Sequence, residues 1–196
     1  MLYTIKRAVL QFLACVRWLG WRHPFWLAFG CPTYRLKGRH YRQVAERIKD
    51  GDILIRRFDG YLNTWLIPGW WNHAGIYIGG VGHEVVHAIG EGVVRDDLID
   101  FMRTDHLMVL RAPDEFGRKA ILKIRKLLGT PYDYDFDFKD AGRFSCTELV
   151  AHQFPGFVTP RRRFRRDTIV ADDIVAALGF SVIYDSRLVD KCERTQ

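Results

Sequence analysis

The stretch that decides the fold is Asn72-His73-Ala74-Gly75-Ile76-Tyr77-Ile78-Gly79, which is followed, after Gly80-Val81-Gly82-His83, by Glu84-Val85-Val86-His87-Ala88. Both runs are rich in Ile, Val and Tyr and are separated by glycines, a pattern typical of two strands joined as a hairpin. Each run contains one imidazole, that of His73 or His87. We therefore predict a hairpin that carries a histidine on each of its two strands.

Whether the two imidazoles can meet depends on the face of the hairpin that each side chain leaves. Successive side chains on a strand point to opposite faces. His73 and His87 share a face if the loop has an odd number of residues, such as Gly79–Val81 or Gly80–Gly82. A loop of two or four residues turns His87 to the opposite face. The hypothesis that His87 orients His73 therefore carries a condition on the loop.

Further short apolar runs surround the hairpin and predict the rest of the fold. Strands are expected at Ile53–Ile55, Val93–Val94, Leu107–Leu110 and Phe180–Tyr184, and helices over Asp114–Leu128, over Ser145–Gln153 and from Thr168 or Asp172 to Leu178. Strands and helices are segregated along the chain and do not alternate regularly. This distribution predicts the α+β fold class.

A cysteine lies at the predicted start of the second helix. Ser145 and Glu148 are three residues apart, as in a capping box, which places Cys146 in the first helical turn. Unpaired backbone N–H groups and the helix dipole favour a thiolate there. Cys146 is therefore a candidate nucleophile, although cysteine is also often a small buried hydrophobic residue.

A nucleophilic thiol needs a base within hydrogen-bond reach, and His73 is the best candidate. It opens a predicted strand after the aromatic loop Trp65 to Trp71, so its ring could lie at the mouth of a cleft. A purely structural role for a strand histidine is the alternative. Zinc is disfavoured because His83 and His87, four apart on a strand, stand about 13 Å apart. Calcium is disfavoured because the aspartates of residues 133–137 lack the Gly and terminal Glu of an EF-hand loop.

These blocks, in this order, resemble the YiiX-like, circularly permuted NlpC/P60 cysteine hydrolases, over about residues 50 to 185. The blocks are Gly51-Asp52-Ile53-Leu54, Asn72 to Gly79, Val85-Val86-His87-Ala88, Gly129-Thr130-Pro131-Tyr132-Asp133 and Ser145-Cys146-Thr147-Glu148-Leu149-Val150. The order His before Cys is reversed relative to papain and is shared with lecithin:retinol acyltransferase-like proteins. The resemblance implies a permuted papain-like NlpC/P60 fold, with helices packed on an antiparallel sheet.

The resemblance also assigns roles to particular residues. It implies that Cys146 is the nucleophile, His73 the base and His87 the third polar residue, with no metal or organic cofactor. Many YiiX-like proteins have Glu at the third position, whereas His occurs in the acyltransferase-like branch. Tyr132 and Tyr134 are placed near the cleft as substrate contacts, and we expect the same of Trp71 in the aromatic loop.

The N-terminal region, residues 1–30, is predicted to be a basic amphipathic helix, because an apolar face and a basic face separate over residues 2 to 21. Its longest uncharged run, Ala8 to Val16, is too short to span a bilayer. We expect the helix to lie on an anionic membrane surface through residues 2–22. Packing on the protein's own core and a signal peptide are the alternatives. Residues 31–50 are expected to form a connector with a short helix around Tyr41 to Lys49, and residues 51–196 the hydrolase domain.

Positive charge is concentrated in two places. Residues 1–50 contain ten Lys/Arg and two Asp/Glu, a net +8 that exceeds the total of +7. Arg161 to Arg166 is predicted to be an exposed loop, either a solvated cluster or a second contact with anionic headgroups. A nucleic-acid partner is not expected from this local basic excess. The four cysteines (Cys15, Cys31, Cys146 and Cys192) are too widely spaced to suggest a disulfide framework.

Three functional hypotheses follow. The first is a thiol-dependent hydrolase of peptide or N-acyl amide bonds that forms an acyl-Cys intermediate at a membrane surface, as a peripheral protein. The second is a lipid-directed acyltransferase or thioesterase, which His87 and the aromatic loop favour. The third is a catalytically inactive membrane-binding module.

Overall fold

In the computed structural model, the described residues are 16–18, 27–29, 34–59, 67–140, 142–163 and 165–193. The chain divides into two compact units, Met1–Tyr34 and Arg35–Gln196, which are described separately. Within the described residues, no helix is both long enough and apolar enough to cross a membrane.

The first unit contains a two-stranded antiparallel sheet. Strand β1 (Val16–Trp18) pairs with β2 (Leu27–Phe29), and Val16 lies opposite Phe29. The helix predicted over residues 2 to 21 is therefore wrong at residues 16–18, and its remaining residues lie outside the described part. Val and Trp are good strand formers, and a helical projection does not test for pairing with a later segment.

The second unit is built on a six-stranded sheet in which every neighbouring pair is antiparallel. The strands are β3 (Ile53–Arg57), β4 (His73–Gly79), β5 (Glu84–Ile89), β6 (Gly92–Asp97), β7 (His106–Arg111) and β10 (Ser181–Asp185). Their order in the sheet is β10-β7-β3-β4-β5-β6. Each of the predicted strands is present, and the predicted α+β class is confirmed.

The sheet has a hydrophobic core on each face, because apolar residues occur consecutively along its central strands. Ile53 and Ile55 point into one core and Leu54 into the other, as the alternation of side chains along a strand requires. The helices are α1 (Gly38–Ala45), α2 (Leu98–Phe101), α3 (Asp114–Ile124), α4 (Cys146–Gln153), α5 (Ala171–Val175) and α6 (Ser186–Glu193). Helix α4 packs against β4 and β5.

The region predicted to be a connector belongs in part to the second unit. That unit begins at Arg35, and Leu36 and Val44 are buried in the core that contains Leu54. Helix α1 begins three residues before the predicted helix, and its buried His40 contacts the Tyr184 hydroxyl through Nδ1 at 2.7 Å. These long-range contacts, which the local pattern does not show, make residues 35–45 part of the folded domain.

The arginine-rich segment forms a hairpin, so the predicted loop is wrong. Strands β8 (Arg161–Arg163) and β9 (Arg166–Thr168) pair with each other. Arg163 donates two hydrogen bonds to Asp173, at 2.8 and 2.9 Å, and Arg161 lies 3.3 Å from the same carboxylate. Asp173, in α5, therefore holds Arg161 and Arg163 in ion pairs, whereas a solvated cluster was one of the two expectations for this segment.

Candidate active site

Cys146 lies at the start of α4, where the predicted capping box is confirmed. The Ser145 N–H donates to Glu148 Oε2 at 2.8 Å, and the Glu148 N–H donates to Ser145 Oγ at 3.4 Å. Two of the unpaired N–H groups of the first turn are thereby satisfied. Burial raises the pKa of the Glu148 carboxyl above its ordinary value. The reciprocal bonds hold the first turn in place and orient the residue that follows Ser145.

Cys146 is 7% exposed. Burial raises the pKa of its thiol above the ordinary value, and the backbone N–H groups of Ala74 and Thr147 and the charge of Arg56 oppose that rise. Helix α4 packs against β4, which His73 begins, so the thiol and the candidate base lie on elements in contact.

His73 and His87 meet, as the hypothesis required. Nε2 of His73 and Nδ1 of His87 are 2.8 Å apart, and the rings are nearly perpendicular. The loop condition, however, is wrong: β4 and β5 are joined by the four residues 80–83. The register shifts between Tyr77 and Gly79, where Gly79 has φ of 66°. This one-residue bulge restores the parity that a four-residue loop removes.

The histidine pair continues to a carboxylate that the sequence analysis missed. Nε2 of His87 lies 2.8 Å from Oδ2 of Asp96 on β6. Ile89 pairs with Gly92 across a two-residue turn, so His87 lies opposite Val94 and diagonal to Asp96 on the same face. Applying the same parity count to this second hairpin would have found Asp96, but the predicted strand ended at Val94.

Arg56 is a second residue that the sequence analysis missed. It lies on β3 directly opposite His73, is 9% exposed, and donates from Nη1 to the Phe101 carbonyl at 2.8 Å. Its guanidinium also lies over the Phe101 ring, 4.1 Å from the centroid. This buried cation therefore lies beside both imidazoles.

The two imidazoles are held neutral. Burial, then the charge of Arg56, then His87 hold the pKa of His73 well below its usual value. Burial and Arg56 also lower the pKa of His87, and Asp96 opposes this without reversing it. Burial therefore favours the uncharged form of both imidazoles and of the thiol, contrary to the thiolate expected at the start of a helix.

The predicted substrate contacts Tyr132 and Tyr134 lie together, with ring centroids 4.9 Å apart. Burial, followed by the charges of Cys146 and Glu148, raises the pKa of Tyr132. Tyr134 is 68% exposed and donates to the Gly90 carbonyl at 3.0 Å. Contact of the two residues with substrate stays a prediction.

Trp71 does not agree with the expectation that it contacts substrate. It is 2% exposed and packs in the core, edge to face against Trp70 at 4.5 Å. Its backbone N–H donates to Asp172 Oδ2 at 2.9 Å, across the chain. The aromatic loop therefore turns this ring inward, which a count of aromatic residues does not reveal.

Hydrogen bonds within the aspartate-rich loop 133–137 fix its conformation. Asp133 is fully buried, and its two oxygens accept the N–H groups of Asp135 and Asp137, each at 2.8 Å. In the part of the chain that the structure describes, no three His, Cys, Asp or Glu side chains are grouped so that they could hold a metal ion. Asp133 is thus engaged in fixing the loop that begins after Tyr132.

Comparisons with known proteins agree with this architecture. Residues 47–186 match the model of a family described as the permuted papain-like amidases, YaeF/YiiX, C92 family. The crystal structure of yiiX from Escherichia coli O157:H7, described as a metalloprotein, superposes with a TM-score of 0.60 at 15% sequence identity. It covers 71% of this chain and 98% of its own. A comparison with curated protein sequences gives no match.

Proposed function

Since the chain belongs to the YaeF/YiiX family of permuted papain-like amidases, we propose that it is a cysteine amidase that cleaves peptide or N-acyl amide bonds through an acyl-Cys146 intermediate. The observation that carries the proposal is the placement of Cys146 at the start of α4, which packs against β4. His73 is the first residue of β4, and its imidazole contacts that of His87.

The reaction proceeds in two halves. The Cys146 sulfur attacks the amide carbonyl carbon while its proton passes to Nδ1 of His73, and N–H groups around Cys146 stabilise the oxyanion. The C–N bond breaks, and the amine leaves with the proton from His73. Water then attacks the thioester with His73 as base, which releases the carboxylic acid and restores the thiol. The steps as written use Cys146, His73, backbone N–H groups and water.

Trapping the acyl-enzyme tests the proposal and separates two substrate classes. The full chain is incubated with an isotope-labelled N-acyl amide or with a labelled phospholipid, quenched in acid, and analysed by intact mass and peptide mapping. We expect the acyl group of the amide on the Cys146 peptide and none in Cys146→Ser. A variant with Cys15, Cys31 and Cys192 changed to Ser is the control and retains the adduct. Undiminished amide turnover by Cys146→Ser would overturn the proposal.

A lipid-directed acyltransferase or thioesterase is the second candidate. His87 at the third position favours it, as does the aromatic group beside Tyr132, in which Tyr134 is 68% and Phe136 44% exposed. An adduct on Cys146 from the phospholipid alone supports this candidate over the amidase. If neither compound acylates Cys146 and the Cys146→Ala variant keeps its biological effect, the third hypothesis, an inactive binding module, is favoured.

We further propose that the protein binds anionic membrane surfaces peripherally. The net charge of +8 in residues 1–50 supports this, as do the exposed side chains of Arg162 and Arg165 in the arginine hairpin. Sedimentation with phosphatidylserine-containing vesicles tests it, with phosphatidylcholine vesicles as control. Full-length Lys6→Glu/Arg7→Glu protein is expected to lose most binding. Equal sedimentation of the variant and the unmodified protein would contradict the assignment to residues 2–22.

A further inference from the structure

A chain of hydrogen bonds crosses three adjacent strands and leads from the candidate base to solvent. It runs from His73 on β4 to His87 on β5 and Asp96 on β6, with both contacts at 2.8 Å. His87 is 1% exposed, whereas Asp96 is 41% exposed. The chain therefore has a buried centre and a carboxylate at its outer end.

The protons in this chain can be placed by counting donors and acceptors. An ionised carboxylate only accepts, and a neutral imidazole has one N–H and one lone pair. The proton of His87 must therefore lie on Nε2, which faces Asp96, and its Nδ1 must be the acceptor. Nε2 of His73 then donates to that acceptor. The only tautomer of His73 that satisfies both contacts leaves a lone pair on Nδ1.

We propose that Asp96 is a positioning residue that selects the tautomers of both imidazoles, so that His73 presents an unprotonated Nδ1 to the Cys146 thiol. This inference rests on the proposed function. It explains how a neutral imidazole at the third position can orient the base as a carboxylate would, because the charged group, Asp96, is the next member of the hydrogen-bond chain after His87. The lowered pKa values of both histidines agree with the one-proton count.

Removing the carboxylate removes the selection. In the absence of Asp96, water can donate to Nε2 of His87 as readily as it can accept from it, so the His87 proton can move to Nδ1. An N–H at that position faces the N–H at Nε2 of His73. Two facing donors repel each other, so the tautomer of His73 with its proton on Nδ1 becomes favoured. His73 in that tautomer cannot accept the thiol proton. The expected cost is a fall in acylation rate on the order of 10- to 100-fold, as for other outer partners that fix the tautomer of a histidine.

The test measures tautomers directly in full-length protein labelled with ¹⁵N-histidine. Two-bond ¹H–¹⁵N NMR spectra distinguish Nδ1–H from Nε2–H, and single-turnover acylation by the N-acyl amide is measured in parallel. We expect Nε2–H for both histidines in the unmodified protein and mixed tautomers in Asp96→Ala. Asp96→Glu should recover both the tautomers and most of the rate. Asp97→Ala, which removes the exposed neighbouring carboxylate, is the control and should change neither.

Two results would overturn the inference. One is retention of Nε2–H on both histidines together with an unchanged acylation rate in Asp96→Ala. The other is Nδ1–H on His73 in the unmodified protein, a result that needs no variant to fold. Failure of the proposed function has a different signature: the unmodified protein would show no acylation of Cys146 while the tautomers still responded to Asp96.

Discussion

Two histidine–carboxylate pairs are carried by the six-stranded sheet and its adjoining loop, and they differ in what surrounds them. His87 contacts Asp96 at 2.8 Å, and His106, at the start of β7, contacts Asp59 at 3.2 Å. Both imidazoles are largely buried, and both carboxylates are partly exposed, 41% for Asp96 and 33% for Asp59. The kind of pair is therefore the same at the two positions.

The surroundings of each pair decide what it can do. The second nitrogen of His87 contacts His73, the candidate base, whereas Nδ1 of His106 is buried without a hydrogen-bond partner among the described residues. Asp59 also binds Arg57 at 2.8 Å, and hydrogen bonds from Arg57 and His106 outweigh burial and lower its pKa. A histidine–carboxylate pair gives chemistry only when the far side of the ring meets a reactive group.

The largest difference in activity between the two pairs is expected when one imidazole is removed from each region. His73→Ala should reduce amide hydrolysis on the order of 10⁴-fold, because the base is lost. His106→Ala should leave kcat/KM within about twofold, whatever its effect on stability. Rates are measured on folded protein, as verified by circular dichroism. Comparable losses in the two variants would show that the pairs are not functionally distinct.

The pH dependence of stability offers a second separation. Burial and Arg56 lower the pKa of His87 in the folded state, so the unfolded chain binds the proton more tightly. Stability is therefore retained above the unfolded pKa of about 6.5 and is lost as the pH falls towards the lowered pKa.

The measurement is urea unfolding of the unmodified protein and of His87→Gln from pH 8 to pH 5. The unmodified protein should lose up to about 1.4 kcal/mol per pH unit more than the variant below pH 6.5. The contribution of Glu148 is common to both proteins and cancels. His73 titrates in both proteins, and loss of the charge of His87 makes its contribution smaller in the variant, which widens the difference in the same direction. Parallel curves would mean that His87 does not titrate as described.

Replacing one serine near each histidine–carboxylate pair should distinguish the two regions with a smaller effect on stability and reactivity. Ser145→Ala removes the cap of α4 and should lower the free energy of unfolding by about 1 kcal/mol, and it should also slow alkylation of Cys146. Ser186→Ala removes the hydrogen bond from the Leu107 N–H, 3.0 Å, on the His106 side. It should cost a similar amount and leave alkylation unchanged. If both variants slow alkylation equally, the cap has no special effect on the thiol.

The smallest effect is expected at the exposed rim. Tyr134→Phe removes a hydroxyl from a 68% exposed side chain that bonds to the Gly90 carbonyl, and it should change the free energy of unfolding by no more than about 0.5 kcal/mol. Steady-state assays should give a KM within about twofold. Tyr132→Phe, which alters a partly buried side chain, should have the larger effect on KM. A larger change in KM for Tyr134→Phe than for Tyr132→Phe would indicate that substrate contacts the exposed ring of Tyr134.

Local patterns account for what the sequence predicts well. The capping box at Ser145 and the hairpin that carries His73 and His87 need only neighbouring residues, so their signals survive without knowledge of the fold. Arg56 was missed because it lies beyond the predicted strand and reaches His73 through the pairing of β3 with β4, across a long connection. Asp96 was missed only because the predicted strand ended two residues early.

Other errors came from geometry that a pattern does not encode. The bulge between Tyr77 and Gly79 changes which face His87 leaves, and a loop count that assumes a regular strand cannot include it. Trp71 was expected to contact substrate as part of the aromatic loop, but its burial depends on contacts made by α5 and the core. The strand at Val16–Trp18 depends on a partner at Leu27–Phe29 that a helical projection ignores.

The claim on which the account depends is that the imidazole of His73 activates the thiol of Cys146. Its most direct test is the rate of iodoacetamide alkylation of Cys146 at pH 7, followed by peptide mapping, in unmodified protein and in His73→Ala, with Cys192 as internal reference. The account predicts that Cys146 alkylation slows about 10-fold or more in the variant while Cys192 is unaffected. Equal rates of Cys146 alkylation in the two proteins would contradict it.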